Sequence, residues 1–528
     1  MDNISQDKLS INGSKSAYSI AQSLQNSREP IFEEKNGRNV SLQYGPNDIP
    51  EWYKAIPLGF QQAMVCMAGL IVTPYVVSEL VCAGDKTSEL RAKLISTAFV
   101  ITGIATILQS FLGLRLANLQ GPAFAFFFGT LNAFASLPEM KCNSSTNEHV
   151  SDEDYLNKLR MIQGSLICAS FIPMILGTTG LIGLIARRVG PITICPVLIL
   201  LCLDNVGSVV DKAQTHWISL VQFVLMCSFA TFLSEFQFPL PYFKHGKIHF
   251  VRYRLLGQFP YLFSIIISYT IAAILSGTNA EPEEGPARVD KKAAIDVLTK
   301  SPWFQVPYPG FGSLLSGLTG LGVGLTMYTE NVAAVSLTRV ASRFVMLTCG
   351  ILLIALGLFT KFAAILATIP DPIIGGLLGM TMCLVFGIAI TNLQTVDLKL
   401  SRNITIIGIA VMCGMYIPEY FTRHPVKTGS TEVNQILSIL LEIRMIIGGL
   451  IAFILDNLVP ATHKQRGFHI PLCSDGEKSQ ITLQKEAYDY PTPVNRILLK
   501  IPLISKLPFM PSKERLQSTL NYDNMVQP

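Results

Sequence analysis

Apolar stretches of about 17 to 25 residues, the length a helix needs to cross the hydrocarbon core of a bilayer, recur from residue 57 to 456 with only short polar breaks between them. The pattern predicts helical spans over 57–78, 92–113, 120–136, 160–184, 188–205, 216–235, 258–277, 344–368, 371–391, 403–418 and 435–456. A further apolar stretch, 313–329, is short and Gly-rich. About eleven full crossings plus this irregular one define an all-α polytopic membrane protein, with no room between spans for a soluble domain. The first 50 residues are polar and lack the basic start, apolar run and small-residue cleavage site of a signal peptide, so they read as a cytoplasmic tail. Residues 459–528 read as a second one.

Composition agrees with the pattern. Half of the 528 residues are hydrophobic, 15% are charged and the mean hydropathy is +0.42, whereas a soluble domain carries about 25% charged residues. Lipid is therefore the solvent for most of the chain. The formal net charge of +5 implies no nucleic-acid partner, because in a membrane protein the distribution of Lys and Arg matters more than their sum. Arg115, Arg187 with Arg188, the group Lys244, Lys247, Arg252 and Arg254, and Lys399 with Arg402 mark four loops as cytoplasmic. The loop 137–158 is acidic and carries the glycosylation acceptor Asn143-Ser144-Ser145, which suits the outer face. Counting crossings from a cytoplasmic N-terminus satisfies both sets.

Most of the 11 cysteines lie inside apolar spans, where Cys behaves as a small hydrophobe. Cys82 and Cys142 fall on the outer face, where oxidising conditions permit a disulfide. The seven His all lie in loops or at span ends, so no intramembrane His cluster is available for a catalytic metal. Neither a Gly-x-Ser-x-Gly elbow nor a phosphate loop occurs. An enzyme reading has no residues to stand on.

Two apolar segments are interrupted by small and polar residues, Leu119-Gln120-Gly121-Pro122-Ala123-Phe124 and Thr326 through Arg339. In carriers built from inverted repeats, such breaks at corresponding places in the two halves turn free backbone groups towards a substrate near the midplane. Gly121-Pro122 alone is equally a simple kink, and Glu330 equally a loop residue. An acidic group at membrane depth is nevertheless expensive, which makes Glu330 a functional candidate together with Asn331. Lys361, inside a span, suits a structural role or snorkelling. Glu442 and Arg444 are expected to satisfy each other or to reach headgroups, and Asp371 to cap a helix start, where a carboxylate favours the dipole.

These residues resemble a known family. Glu330-Asn331-Val332-Ala333-Ala334-Val335-Ser336-Leu337-Thr338-Arg339 is similar to the signature of the nucleobase–ascorbate transporters, with Ala333 in place of the usual Gly. Pro302-Trp303-Phe304, Pro370-Asp371-Pro372, Asn392-Leu393-Gln394, Ser401-Arg402-Asn403 and Phe453-Ile454-Leu455-Asp456-Asn457 resemble the animal sodium-dependent vitamin C transporter branch. The resemblance implies two inverted repeats of seven segments, here 51–310 and a shortened 311–458, arranged as a core and a dimerising gate. It implies a plasma-membrane symporter moving a small solute, L-ascorbate or a nucleobase of the uracil or xanthine class, with sodium as coupling ion and no other cofactor, by an elevator-like motion. Gln120, Ala123 and Phe124 match substrate-facing positions, Glu330 and Asn331 match the signature contacts, and Gln62 stands where many members have His. Ala333, Thr338 and Arg339 complete the signature.

Two departures shape the expectation. An acidic first signature residue is typical of nucleobase carriers, and Glu330 would repel the ascorbate anion unless protonated or paired. The family pattern also needs three crossings between Gly310 and Arg339, and the 28 residues 311–338 allow about one at 1.5 Å per residue. About two crossings of the usual fourteen are expected to be missing, including the segment that would carry sodium ligands, so the metal site is unassigned. The competing reading is a non-transporting, shortened family member or a dimer partner that regulates a full-length carrier.

Overall fold

The computed structural model describes residues 44–113, 115–122, 152–244, 247–305, 325–328, 331, 335, 340–462 and 465–468. The first expected span is a helix pair broken at Cys66, α1 (Trp52–Val65) and α2 (Met67–Leu80). A long α3 (Thr87–Phe111) runs back along this pair. The chain then enters β1 (Gln120–Pro122), an extended segment where the pattern predicted a helix over 120–136. Pro122 lacks an N–H and Gly121 tolerates close approach, which favours a strand over a helix here.

The fourth span is α4 (Asp152–Thr178), followed across the left-handed Gly180 by the short α5 (Leu181–Ala186). Next come α6 (Pro191–Asp204), α7 (Val206–Ala213) and the 13-residue α8 (Ile218–Ala230). The basic loop holds an antiparallel pair, β2 (Phe238–Lys244) with β3 (Lys247–Tyr253). The turn α9 (Leu255–Gln258) leads into α10 (Pro260–Gly277), and the outer segment beyond it carries α11 (Lys292–Lys300). After β4 (Leu325–Met327) follow α12 (Arg343–Leu358), α13 (Thr360–Ala367), α14 (Asp371–Leu393), α15 (Ser401–Arg423), α16 (Thr431–Glu442) and α17 (Arg444–Leu458).

Among the described residues six helical stretches are long and apolar enough to cross a membrane, or eight if each bent pair is one span. The chain is a mostly helical, multi-pass membrane protein of the all-α class expected, with two short strand pairs among the described residues. Two predicted spans are sharply bent at a break. The 344–368 span bends by 76° between α12 and α13, and the 435–456 span by 72° between α16 and α17. At the first break the freed backbone finds partners in the outer segment: Gln305 N–H donates to Leu358 O at 3.2 Å and Thr360 Oγ1 to Pro302 O at 2.5 Å. Lys361, next in line, donates to the carbonyls of Leu298 and Thr299. A cation on the last carbonyls of α11 complements that helix's negative end, so Lys361 has the structural role expected.

Residues from Gln43 onward form one compact unit. Residues 44–50, grouped with the tail by their polarity, belong to it. Tyr44 bridges to Val340, and Arg343 donates to Asn47 Oδ1 at 2.7 Å.

Within the unit, α2 and α3 pack against β1, which pairs with β4, and α12 packs against α1 and α3 and α13 against α3, while α6, α15 and α17 pack together and α14 lies against α6, α7 and α8. The α3–α12 contact rests on small residues. A Cβ on Gly103 would lie 2.6 Å from Gly350 O, and Ser96 Oγ donates to Gly357 O at 2.6 Å. Such surfaces let helix backbones approach closely where no hydrophobic force drives them together.

Charges inside the bundle are paired, though not all as expected. Arg444 faces Asp204 at 3.6 Å and Glu419 at 4.0 Å rather than Glu442. Asp371 stands in the first turn of α14, the helix start expected of it, and also faces Arg91 at 3.3 Å.

At the end of α17, the fully buried Asp456 carboxylate takes Arg402 at 3.1 Å and Arg466 at 2.7 Å. Asn403 Nδ2 donates to Asp397 O and Gln465 O, both at 2.9 Å, and Arg466 also reaches Arg188 O. Residues 465–468, placed in the tail by their polarity, are thereby strapped across the starts of α6 and α15 and the end of α17.

Candidate functional site

The two interrupted segments of the sequence meet. β1 and β4 pair antiparallel with Gln120 opposite Met327, Gly121 opposite Thr326 and Pro122 opposite Leu325. Tyr328 N–H continues the ladder to Leu119 O at 3.0 Å. A strand pair this short satisfies only part of its own backbone, and at membrane depth the remaining groups need protein, water or solute partners. Thr106 Oγ1 on α3 accepts from Gln120 N–H at 3.1 Å, and Asn118 Oδ1 accepts from Leu119 N–H at 2.8 Å.

Helix α1 brings the amides. Asn331 Nδ2 donates to Gln62 Oε1 at 2.5 Å, a side chain 269 positions away. Both residues are buried, as are Gln61, Gln120 and Asn118. Among the described residues no hydrogen-bond partner reaches Asn331 Oδ1, Gln61 Oε1 or Asn118 Nδ2. Buried polar atoms without partners are uncommon and mark places where water or a ligand completes the set. Tyr328 forms the floor between helix and strand. A Cβ on Gly69 would lie 2.1 Å from the Tyr328 hydroxyl, and one on Gly121 2.6 Å from its ring. Both positions must be glycine for the ring to sit there.

Of the residues proposed from sequence, Gln62, Gln120 and Asn331 are thus gathered around one strand crossing. Ala123, Phe124, Glu330, the signature residues Ala333, Thr338 and Arg339, the acceptor Asn143, and Cys142 lie outside the described residues. Cys82 is disulfide-bonded, and its partner also lies outside them. Sequence reasoning missed Gln61, Gly69, Thr106, Asn118 and Tyr328. The available signal was polarity inside an apolar span, which Gln61 shares with Gln62. Among the described residues no three His, Cys, Asp or Glu side chains converge as a metal group would need. Amide oxygens such as Asn331 Oδ1 and Gln61 Oε1 are the kind of donor that hard cations accept.

A multi-pass helical bundle in which two interrupted segments meet is an arrangement that membrane carriers use. The xanthine/uracil permease model, described as a permease family, matches residues 53–311 and 309–422, and the chain belongs to that family. It is a transporter family and not an enzyme family. The chain is 30% identical to human solute carrier family 23 member 2, covering 89% of this chain and 82% of that protein. It is 29% identical to mouse solute carrier family 23 member 1, over 85% and 86%, and 25% identical to nucleobase-ascorbate transporter 12 of Arabidopsis thaliana, over 87% and 76%.

The comparisons bear on the missing crossings. The family match breaks into two pieces that meet at residues 309–311, the start of the segment judged too short. The alignment with the human protein runs over 541 positions but uses 89% of 528 residues, about 470. About 70 positions therefore face no residue of this chain, enough for two crossings of about 20 residues with their loops.

Proposed function

We propose that the chain binds a small planar solute with hydrogen-bonding edges, of the nucleobase or ascorbate class, at the β1–β4 crossing, and carries it across the plasma membrane with sodium as coupling ion. The observation that carries this reading is the crossing itself, two extended segments meeting beside buried amides with unmet hydrogen-bonding capacity. Asn331 and Gln62 would face the solute's polar edge from one side, and Glu330, Ala123 and Phe124 belong to the same two segments. A carboxylate at Glu330 accepts two N–H bonds from a purine or pyrimidine edge, which favours a nucleobase over the ascorbate anion. Movement would be elevator-like, the helices around the strands shifting against the α6, α15 and α17 group, with a homodimer holding the latter. Cells expressing the chain are expected to accumulate radiolabelled uracil or xanthine more than ascorbate, with uptake reduced without sodium. Glu330→Ala should abolish that uptake; undiminished uptake in the variant removes Glu330 from the site.

A second reading is favoured by the broken family match: a shortened member that does not transport and instead regulates a full-length partner. Transcript sequencing across codons 308–316 separates the two, since a longer form encoding the lost helices would make this chain the variant.

The outer-face disulfide is assigned to Cys82 and Cys142. Eight other cysteines are free, which leaves Cys142 and Cys473 of the 11, and Cys473 falls in the cytoplasmic tail by the crossing count. Peptide mapping without reduction is expected to find the 82–142 link in the wild type and in Cys473→Ser, and to lose it in Cys142→Ser. A bridge that persists in Cys142→Ser refutes the pairing.

A further inference from the structure

Away from the candidate site, four charged side chains from four helices meet at the outer end of the bundle. Glu79 lies at the end of α2, Arg91 in the first turns of α3, Lys212 at the end of α7 and Asp371 at the start of α14. Lys212 Nζ is 2.6 Å from Glu79 Oε1, and Arg91 Nη2 is 3.0 Å from the same oxygen. Arg91 Nη1 reaches Asp371 Oδ1 at 3.3 Å. The Arg91 guanidinium also donates to Ser78 Oγ at 3.0 Å and lies over the Tyr75 ring, 4.2 Å from its centroid. Two cations face two carboxylates, so the group is charge-balanced. The cations are the buried half, 12% and 11% exposed, while both carboxylates stay more than 40% open to water.

The network's position gives it a task. Lys212 is locked to α14, since a Cβ on Gly375 would lie 2.8 Å from Ala213 N and 2.9 Å from Lys212 C. Glu79 and Arg91 belong to α2 and α3, which carry the strand crossing. The Glu79–Lys212 pair therefore joins the site-bearing helices to the α6, α7 and α14 group. Close-packed glycine contacts, like those between α3 and α12, cannot part without opening a void. Ion pairs with water-exposed carboxylates can exchange partners for water at little cost. A contact of the second kind suits a surface that must open and reclose.

We propose that Glu79, Arg91, Lys212 and Asp371 form a releasable outer latch, which holds the outer ends of the two helix groups together in this conformation and parts when they move. Its purpose rests on the carrier reading, but its test does not use transport. Hydrogen exchange would be followed by mass spectrometry on the full chain in nanodiscs. Lys212→Met is expected to raise exchange about tenfold across the outer ends of α2 and α3, residues 75–92, an equilibrium shift of about 1.4 kcal/mol. Residues 96–107 and 345–357, at the α3–α12 contact, should keep their protection, and Lys212→Arg should behave as wild type. Added salt should mimic the Met variant in part, because exposed pairs are screened. Unchanged exchange at 75–92 overturns the latch. So does a uniform rise that includes the α3–α12 contact, which would make the network a fixed prop of the fold. Absent uptake beside the expected exchange pattern would sink the carrier reading and leave the latch standing.

Discussion

Replacing Asp456 by alanine is expected to cost about 3–5 kcal/mol, because it strands two largely shielded cations. Arg402 and Arg466 both close on this carboxylate, whose side chain is fully shielded from solvent. Arg466 approaches it through Nε as well as Nη2, a fork that lysine cannot reproduce. Arg402 also donates to Asp456 O and Val459 O, each at 2.7 Å, so losing the carboxylate loosens the end of α17 and the strap after it. Thermal unfolding of purified protein in detergent should show the loss in Asp456→Ala and a smaller one in Arg466→Lys. Equal stability of wild type and Asp456→Ala would mean that the network adds nothing to the fold.

The second large effect is expected at the site itself. Gly69→Ala places a methyl group against the Tyr328 hydroxyl, at 2.1 Å before relaxation, with Pro122 O at 3.3 Å behind it. Overpacking of this kind costs about 1–3 kcal/mol, and here it falls on the residue that continues the strand ladder. Tyr328→Phe removes the oxygen but leaves the ring, so Gly69→Ala in that background should cost less. The double-mutant cycle should give a coupling of about 0.5–3 kcal/mol, measured by thermal unfolding. Strict additivity would show that the ring and α2 do not meet as described.

Much of this site was legible in the chain because lipid makes polarity conspicuous. Gln120, Gly121, Pro122 and Asn331 stood out as interruptions in apolar runs, and the structure joins their two segments. Gly69 and Thr106 were not legible, since a glycine or threonine inside a membrane span is ordinary until a ring or a backbone N–H is found against it. The charges show the same limit. Arg444 had a neighbour of opposite sign two residues away, yet its partners come from α6 and α15, because the chain bends by 72° between Glu442 and Arg444 and turns the two side chains apart.

The sequence by itself determined the solvent and the multi-pass helical character of the chain, since both follow from hydropathy, which is a local property. It also located the shortened stretch after Gly310 by counting residues against the bilayer's thickness. Only the tertiary structure decided that β1 and β4 are strands rather than helix starts, that Gln62 reaches Asn331 across 269 positions, and that Asp456 gathers two arginines. The reason is physical: a short extended segment in lipid is viable only where another segment satisfies its backbone, and the identity of that segment is a property of packing.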